Sequence, residues 1–146
     1  MKNILNNLSR KTIPLALALS QACYSPEPTS PDKLKEYTLK NKALYTEFKK
    51  LIKEKLSLSA KDIDGDIIAW INNKKDCIYI TKKYDFDKTI TLTFIDYNGD
   101  GLTINDEYTD GITKSLKELN QEDRLLMAER YTWEIKKLLQ ENKNKN

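Results

Sequence analysis

A two-layer α+β domain is what this sequence predicts: a three-stranded antiparallel sheet flanked by an N-terminal and a C-terminal helix. Two observations lead there. Near both ends of the chain apolar residues recur three and four apart, and between them lies a β-branched segment in which they alternate. Charge divides the chain at the same places. From Lys33 to Lys61 nine Lys stand against three Glu, whereas from Asp62 to Asp110 eleven acidic residues stand against five basic ones. The 146 residues carry a formal charge of +3, and Lys2, Arg10 and Lys11 account for it, since 22 basic and 22 acidic residues balance from Cys23 onward. The excess belongs to the first residues and does not describe a nucleic-acid surface. The absence of His removes the commonest general base and metal ligand, which excludes zinc fingers and His-dependent triads.

Ser30-Pro31-Asp32 opens the first helix with an N-cap serine, a proline at the first helical position and an acid in the first turn. Leu34, Tyr37, Leu44, Tyr45, Phe48, Leu51, Ile52 and Leu56 then form one apolar stripe, predicting a helix over 31–57. Its lysine-rich outer face is either solvated or turned to anionic lipid or an acidic partner. Asp62-Ile63-Asp64-Gly65-Asp66 reads as a turn into the first strand. Strands are predicted at 67–71, 77–82 and 89–95. In the last, Thr89, Thr91 and Thr93 share the wet face, and Ile90, Leu92 and Phe94 share the core face. The turn segments Asn72-Asn73-Lys74-Lys75 and Asp85-Phe86-Asp87-Lys88 are short, so an antiparallel meander is the economical topology. Asn120 caps a second helix over 121–141, with Glu122 and Asp123 in its first turn. Leu125, Ala128, Tyr131, Ile135 and Leu138 make its buried stripe, widened by Leu126, Met127, Trp133 and Leu139. Trp133 belongs either to the core or to a partner surface. Residues 142–146 have no apolar side chain and should fray as a disordered tail. Cys77, in Ile-rich sequence, is expected as a buried thiol in preference to a disulfide with Cys23.

The first 30 residues have a different character. Residues 1–12 carry only positive charge, Ile13 to Leu19 is apolar, and Ser20-Gln21-Ala22 places small residues at both ends of a triplet before Cys23. The apolar run contains Pro14 and is far shorter than the roughly 20 residues that a membrane span needs. Tyr24-Ser25-Pro26-Glu27-Pro28-Thr29-Ser30-Pro31 follows it. On these residues the N-terminal segment resembles a prokaryotic lipoprotein precursor. The resemblance implies a signal peptide over 1–22, lipidation at Cys23, and a Pro/Ser-rich tether over 23–30. That tether would hold a single domain, 31–141, at a membrane facing the periplasm or the cell exterior. Ordinary cleavage after Ala22 is the other use of the same residues.

One constellation carries chemistry. Counting from Asp96, oxygen-bearing side chains stand at positions 1, 3 and 5 (Asp96, Asn98, Asp100), Gly101 at the sharp turn, Leu102 with a carbonyl at 7, and Glu107 at 12. The segment resembles the calcium loops of EF-hand proteins and, through Asp100-Gly101-Leu102-Thr103, thrombospondin type 3 repeats. That resemblance implies side-chain ligation of a structural Ca²⁺ by Asp96, Asn98, Asp100 and Glu107 and backbone ligation by Leu102. The alternative is a plain hairpin, with Asn98-Gly99 in a type I′ turn between strands at Phe94-Ile95 and Leu102-Thr103-Ile104. With no nucleophile elbow and no phosphate loop, an enzyme is not expected. The expectation is a lipid-anchored, surface-exposed binding module. Its partners would be a membrane, through the anchor, and an unknown protein, with no nucleic acid and no small-molecule substrate. The alternative is a secreted or intracellular helix-sheet adaptor, without lipid or calcium, that binds an acidic protein.

Overall fold

The structure, a computed structural model, describes residues 32–143. The predicted signal peptide, Cys23 and the tether lie outside the described residues. An α+β architecture is found, but the sheet has six strands where the sequence predicts three. Helices α1 (Lys33–Lys40) and α2 (Lys42–Lys55) precede strands β1 (Ser57–Asp62), β2 (Gly65–Asn72), β3 (Cys77–Tyr84), β4 (Thr91–Asp96), β5 (Glu107–Thr109) and β6 (Thr113–Ser115). A 3₁₀ turn at Leu116–Glu118 leads into α3 (Gln121–Lys143). The strands pair in sequence order, β1-β2-β3-β4-β5-β6, and every pairing is antiparallel. The predicted meander is therefore correct in topology and short by three strands.

The predicted helix over 31–57 is two helices that meet at Asn41. There the backbone leaves helical geometry (φ −103°, ψ 16°), and the Asn41 amide donates to the Tyr37 carbonyl at 2.8 Å, so a side chain competes with the helical ladder. Asp32 caps α1, its Oδ1 accepting from the Lys35 N–H at 3.1 Å. Helix α2 ends at Leu56, whose φ of +73° reverses the chain directly into β1. Strand β1 starts where the helix was predicted to finish. Its Ser-Leu-Ser-Ala-Lys-Asp sequence alternates with burial, Leu58 and Ala60 inward, but Ser, Ala and Lys are weak strand formers and mask the pattern. The Asp62–Gly65 segment is thus the β1–β2 hairpin turn.

Register explains the core. Ala69 pairs with Ile80, Ile80 with Phe94, and Phe94 with Tyr108, which lines four strands' apolar side chains along one face. Tyr45, Phe48 and Ile52 of α2 and Tyr131, Ile135 and Leu138 of α3 pack on that row. The opposite face carries Trp70 stacked on Tyr79 (5.2 Å between ring centroids) and Thr81 bonded to Thr93 through their hydroxyls (2.8 Å). Thr91 and Thr93 fall on this second face as predicted. Thr89 and Ile90 do not belong to the strand. Asp87 Oδ1 accepts from both the Thr89 N–H and hydroxyl, which holds these residues in the turn and leaves Ile90 exposed. Cys77 is buried, and burial raises its thiol pKa.

Asn120 caps α3 as predicted, its Oδ1 accepting from the Asp123 N–H at 2.8 Å. The helix runs two residues past the predicted end. Asn142 donates to the Ser59 carbonyl at 2.9 Å, covering the free edge of β1, and Lys143 pairs with Glu47 at 2.6 Å. Leu126 and Trp133, predicted to widen the buried stripe, are exposed. In their place Thr132 and Glu134 are buried.

Candidate functional site

The predicted calcium segment is a long connection, residues 97–106, between β4 and β5. The returning strand begins at Glu107, not at Leu102, so the plain Asn-Gly hairpin is not formed either. Asp96 is 1 % exposed at the end of β4. Its Oδ1 accepts from the Gly99 N–H at 2.9 Å, and its Oδ2 from the Gly101 N–H and the Tyr131 hydroxyl, both at 2.8 Å. A second buried acid, Asp106, works from the other end of the loop. Its Oδ1 accepts from the Tyr97 N–H at 2.9 Å and its Oδ2 from the Thr103 N–H at 2.8 Å. Burial pushes both carboxyls upward, Asp106 to about 7 with the Asp96 charge adding to the effect, against hydrogen bonds that pull them down. Sequence reading did not single out Asp106. The signal was available in Thr103-Ile104-Asn105-Asp106, since an acid three residues after Thr reaches back to its N–H as in a capping box.

The other predicted ligands are engaged by donors of the chain itself. The backbone carbonyl of Asn98, not the side chain predicted to ligate, accepts from Lys49 Nζ at 2.9 Å, and Asp100 Oδ1 meets the same ammonium at 3.3 Å. The Leu102 carbonyl accepts from the Thr38 hydroxyl at 2.7 Å. Glu107 Oε1 accepts from the Tyr97 hydroxyl at 2.6 Å. Glu107 pairs with Ile95 in the β4–β5 ladder, so it stands on the face opposite Asp96, which bonds Tyr131 in the helix layer. Positions 1 and 12 cannot close one shell from opposite faces, and among the described residues no group of three or more acidic or Cys side chains is gathered as a metal would require. The donor set as placed does not fit Ca²⁺. Gly101 is needed all the same: at φ +102° its Cβ would lie 2.3 Å from the Tyr45 ring.

Lys49 takes the place of a bound cation. Its ammonium also pairs with Asp76 Oδ2 at 3.5 Å, which joins α2, the β2–β3 turn and the 97–106 loop through one charge. The expected thermal melt of the wild-type chain is therefore unchanged by millimolar calcium. Lys49→Met should lower the melting temperature by about 4 °C, an ordinary effect of losing about 1 kcal/mol of partly exposed charge-assisted bonds. A wild-type melt raised several degrees by calcium but not by magnesium would restore the metal reading.

A second cluster lies between the β1–β2 turn and α3, where a surface cleft of about 490 Å³ is lined by Asp62, Ile63, Asp64, Lys82, Leu126 and Trp133, with Glu129 and Arg130 beside them. Lys82, on the core face of β3, is buried and paired with Asp62 at 2.9 Å and with Asp64. Burial alone would raise the Asp62 carboxyl, but hydrogen bonds from Lys82, the Trp133 indole (3.0 Å) and the Ile63 N–H overcome it and hold the group at about 2. Arg130 donates to the Tyr84 hydroxyl at 2.6 Å, and Tyr84 tilts against Phe86 at 5.4 Å. Trp133 is 52 % exposed even though its indole is fixed by Asp62 and Lys137 lies over its ring at 5.1 Å. Next to Trp133 in α3, Glu134 is 0 % exposed, and among the described residues neither of its carboxylate oxygens has a hydrogen-bond partner. Burial drives its pKa up to about 8, only partly opposed by Lys82 and Arg130, while Asp62 and Asp64 reinforce the rise. No protein-family model, curated protein or solved structure matches the chain.

Proposed function

We propose that this chain is a lipid-anchored, surface-exposed binding module, fastened through Cys23 and presenting the Trp133 end of its α+β domain to a protein partner. The binding half of the reading rests on one observation: large apolar side chains stay exposed on a rigid frame around the cleft. Ile63 is 94 % exposed with Leu126 and Trp133 also exposed along the same cleft, and Phe86 is 73 % exposed, while the core face of the sheet buries its apolar row. Trp, Tyr and Arg together on well-supported backbone form the composition that dominates binding energy at protein interfaces. The 97–106 loop serves as a structural latch in this reading, closed by Asp96, Asp106 and Lys49.

The anchoring half rests on the residues before Cys23 and the short Pro-rich stretch after it. No helix among the described residues is long and apolar enough to cross a membrane. Expected from cells is a mature chain starting at Cys23 with added acyl mass, and a Cys23→Ser chain without it. A mature chain beginning at Met1, or cut before Cys23 with no acyl mass, would remove the anchor.

A further inference from the structure

We infer that the free edge of β1 takes a seventh strand: an extended segment of a partner protein, apolar along one side, that bonds to the backbone of Ser57, Ser59 and Lys61. This site lies beyond the Trp133 surface and depends neither on it nor on lipid. The phase of the β1–β2 ladder determines which backbone groups are free. The Ile71 N–H donates to the Leu56 carbonyl at 3.3 Å, and bonded pairs in an antiparallel ladder recur at every second residue, so Leu58, Ala60 and Asp62 also bond to β2. Ser57, Ser59 and Lys61 therefore aim their N–H and C=O groups away from the sheet, and all three residues are exposed. The pairing of β1 runs without a bulge or a proline, two devices that blunt an edge. The opposite edge offers less: β6 has three residues, and the Ser115 N–H is taken by Glu118 Oε2 at 3.5 Å. One side chain already bonds as an incoming strand would. Asn142 Nδ2 donates to the outward Ser59 carbonyl at 2.9 Å, in the place of a guest's backbone N–H. Beside it a surface cavity of about 340 Å³, lined by residues 59–61, 66–68 and Glu141, leaves the middle of the edge open.

The side chains beside the edge set what the guest carries. Ser57 pairs with Trp70 and Ser59 with Ile68, so two small residues separate the edge from two large apolar ones on the face away from the helices. Tyr79 stacks on one face of the Trp70 ring, and the residue is still 39 % exposed. Large apolar guest side chains opposite Ser57 and Ser59 lean over the serines toward Trp70 and Ile68, covering surface that β1 leaves open. Lys61, the one charged residue whose backbone faces outward here, is already bonded to Asp66 at 2.7 Å, so the guest needs no charge opposite it.

The test uses the full chain carrying Cys23→Ser, titrated with the peptide acetyl-Lys-Val-Thr-Val-Thr-Val-Lys-amide and, separately, with the same peptide N-methylated at its valines. The first peptide should slow hydrogen exchange of the Ser57, Ser59 and Lys61 amides about tenfold at saturation and shift the Trp70 indole N–H, with Trp133 unmoved. The N-methylated peptide keeps the side chains but loses the donors that face the edge, and should leave exchange unchanged. Asn142→Ala should bind the first peptide about fivefold tighter, because it clears the Ser59 carbonyl. Ser59→Pro removes an N–H that the β1–β2 ladder does not use, and should weaken binding about tenfold in a chain that still melts cooperatively. Equal slowing by the N-methylated peptide, protection at Thr113 to Ser115 in place of β1, or unchanged affinity in Asn142→Ala would overturn the inference. So would a chain that dimerises by itself in sedimentation and loses the dimer in Ser59→Pro, since the occupant of the edge is then a second copy.

Discussion

Asp96→Ala is expected to cost about 3 kcal/mol of unfolding free energy, because it removes the carboxylate on which three buried donors converge and leaves two of them without an acceptor. The Gly99 and Gly101 N–H groups and the Tyr131 hydroxyl all end on this carboxylate, and of the three only the Gly99 N–H also reaches a second acceptor, the Asp96 backbone carbonyl at 3.2 Å, which the substitution keeps. Asp96→Asn keeps one acceptor oxygen and should cost about half as much, while Tyr131→Phe, which removes a single donor, should cost about 1–2 kcal/mol. Urea unfolding of the two single variants and the double variant gives the coupling between Asp96 and Tyr131 directly. A loss below about 1 kcal/mol for Asp96→Ala would mean that the loop is not held by this residue. The loop also organises the helix layer. Tyr131 packs edge-on against Phe94 at 5.4 Å and lies 6.2 Å from Tyr45, so releasing its hydroxyl loosens the contact between α2, α3 and β4.

The second large effect runs the other way: Glu134→Met should stabilise the domain, and by more as pH rises. In the folded chain the Glu134 carboxyl titrates at about 8 instead of 4.5, so the folded state keeps a proton that the unfolded state releases. A group raised in this direction gives its full stabilisation below about pH 4.5, and that contribution drains away as pH climbs to about 8. The drain is on the order of 4 kcal/mol over the window. Met fills similar volume and carries no polar atom needing a partner, so its variant should lose this slope and gain about 1–2 kcal/mol even at pH 5. Asp106, also raised by burial, bends the wild-type curve the same way, so the difference between wild type and variant, not the wild-type curve alone, isolates Glu134. Parallel pH–stability curves for the two proteins would show that Glu134 finds a partner in solution.

Long-range order accounts for what sequence reading missed. Alternation in Thr91-Leu92-Thr93-Phe94 and spacing in Ala128, Tyr131, Ile135 and Leu138 were readable because each repeats over enough residues to show a period. The three-residue strands β5 and β6 are too short to show one, and β1 is written in Ser, Ala and Lys, so all three exist because neighbouring strands offer them a ladder. Asn41 breaks a helix whose apolar spacing continues unbroken across it, because its amide competes with the backbone and only the packed chain sets the outcome. The same limit applies to the site. Spacing placed Asp96 and Glu107 at the two ends of a calcium loop, but strand pleating puts them on opposite faces.

Composition and periodicity along the chain were enough to establish an antiparallel α+β domain, because these follow from local geometry and from which side chains avoid water. The number of strands, the duties of Asp96, Asp106 and Lys49, and the burial of Glu134 next to an exposed Trp133 depend on residues far apart in the chain. Lys49 meets Asp100 across 51 residues and Trp133 meets Asp62 across 71. Contacts of that range carry no local periodicity, since nothing in a helix or strand repeat specifies which distant donor will meet which acceptor until the layers pack.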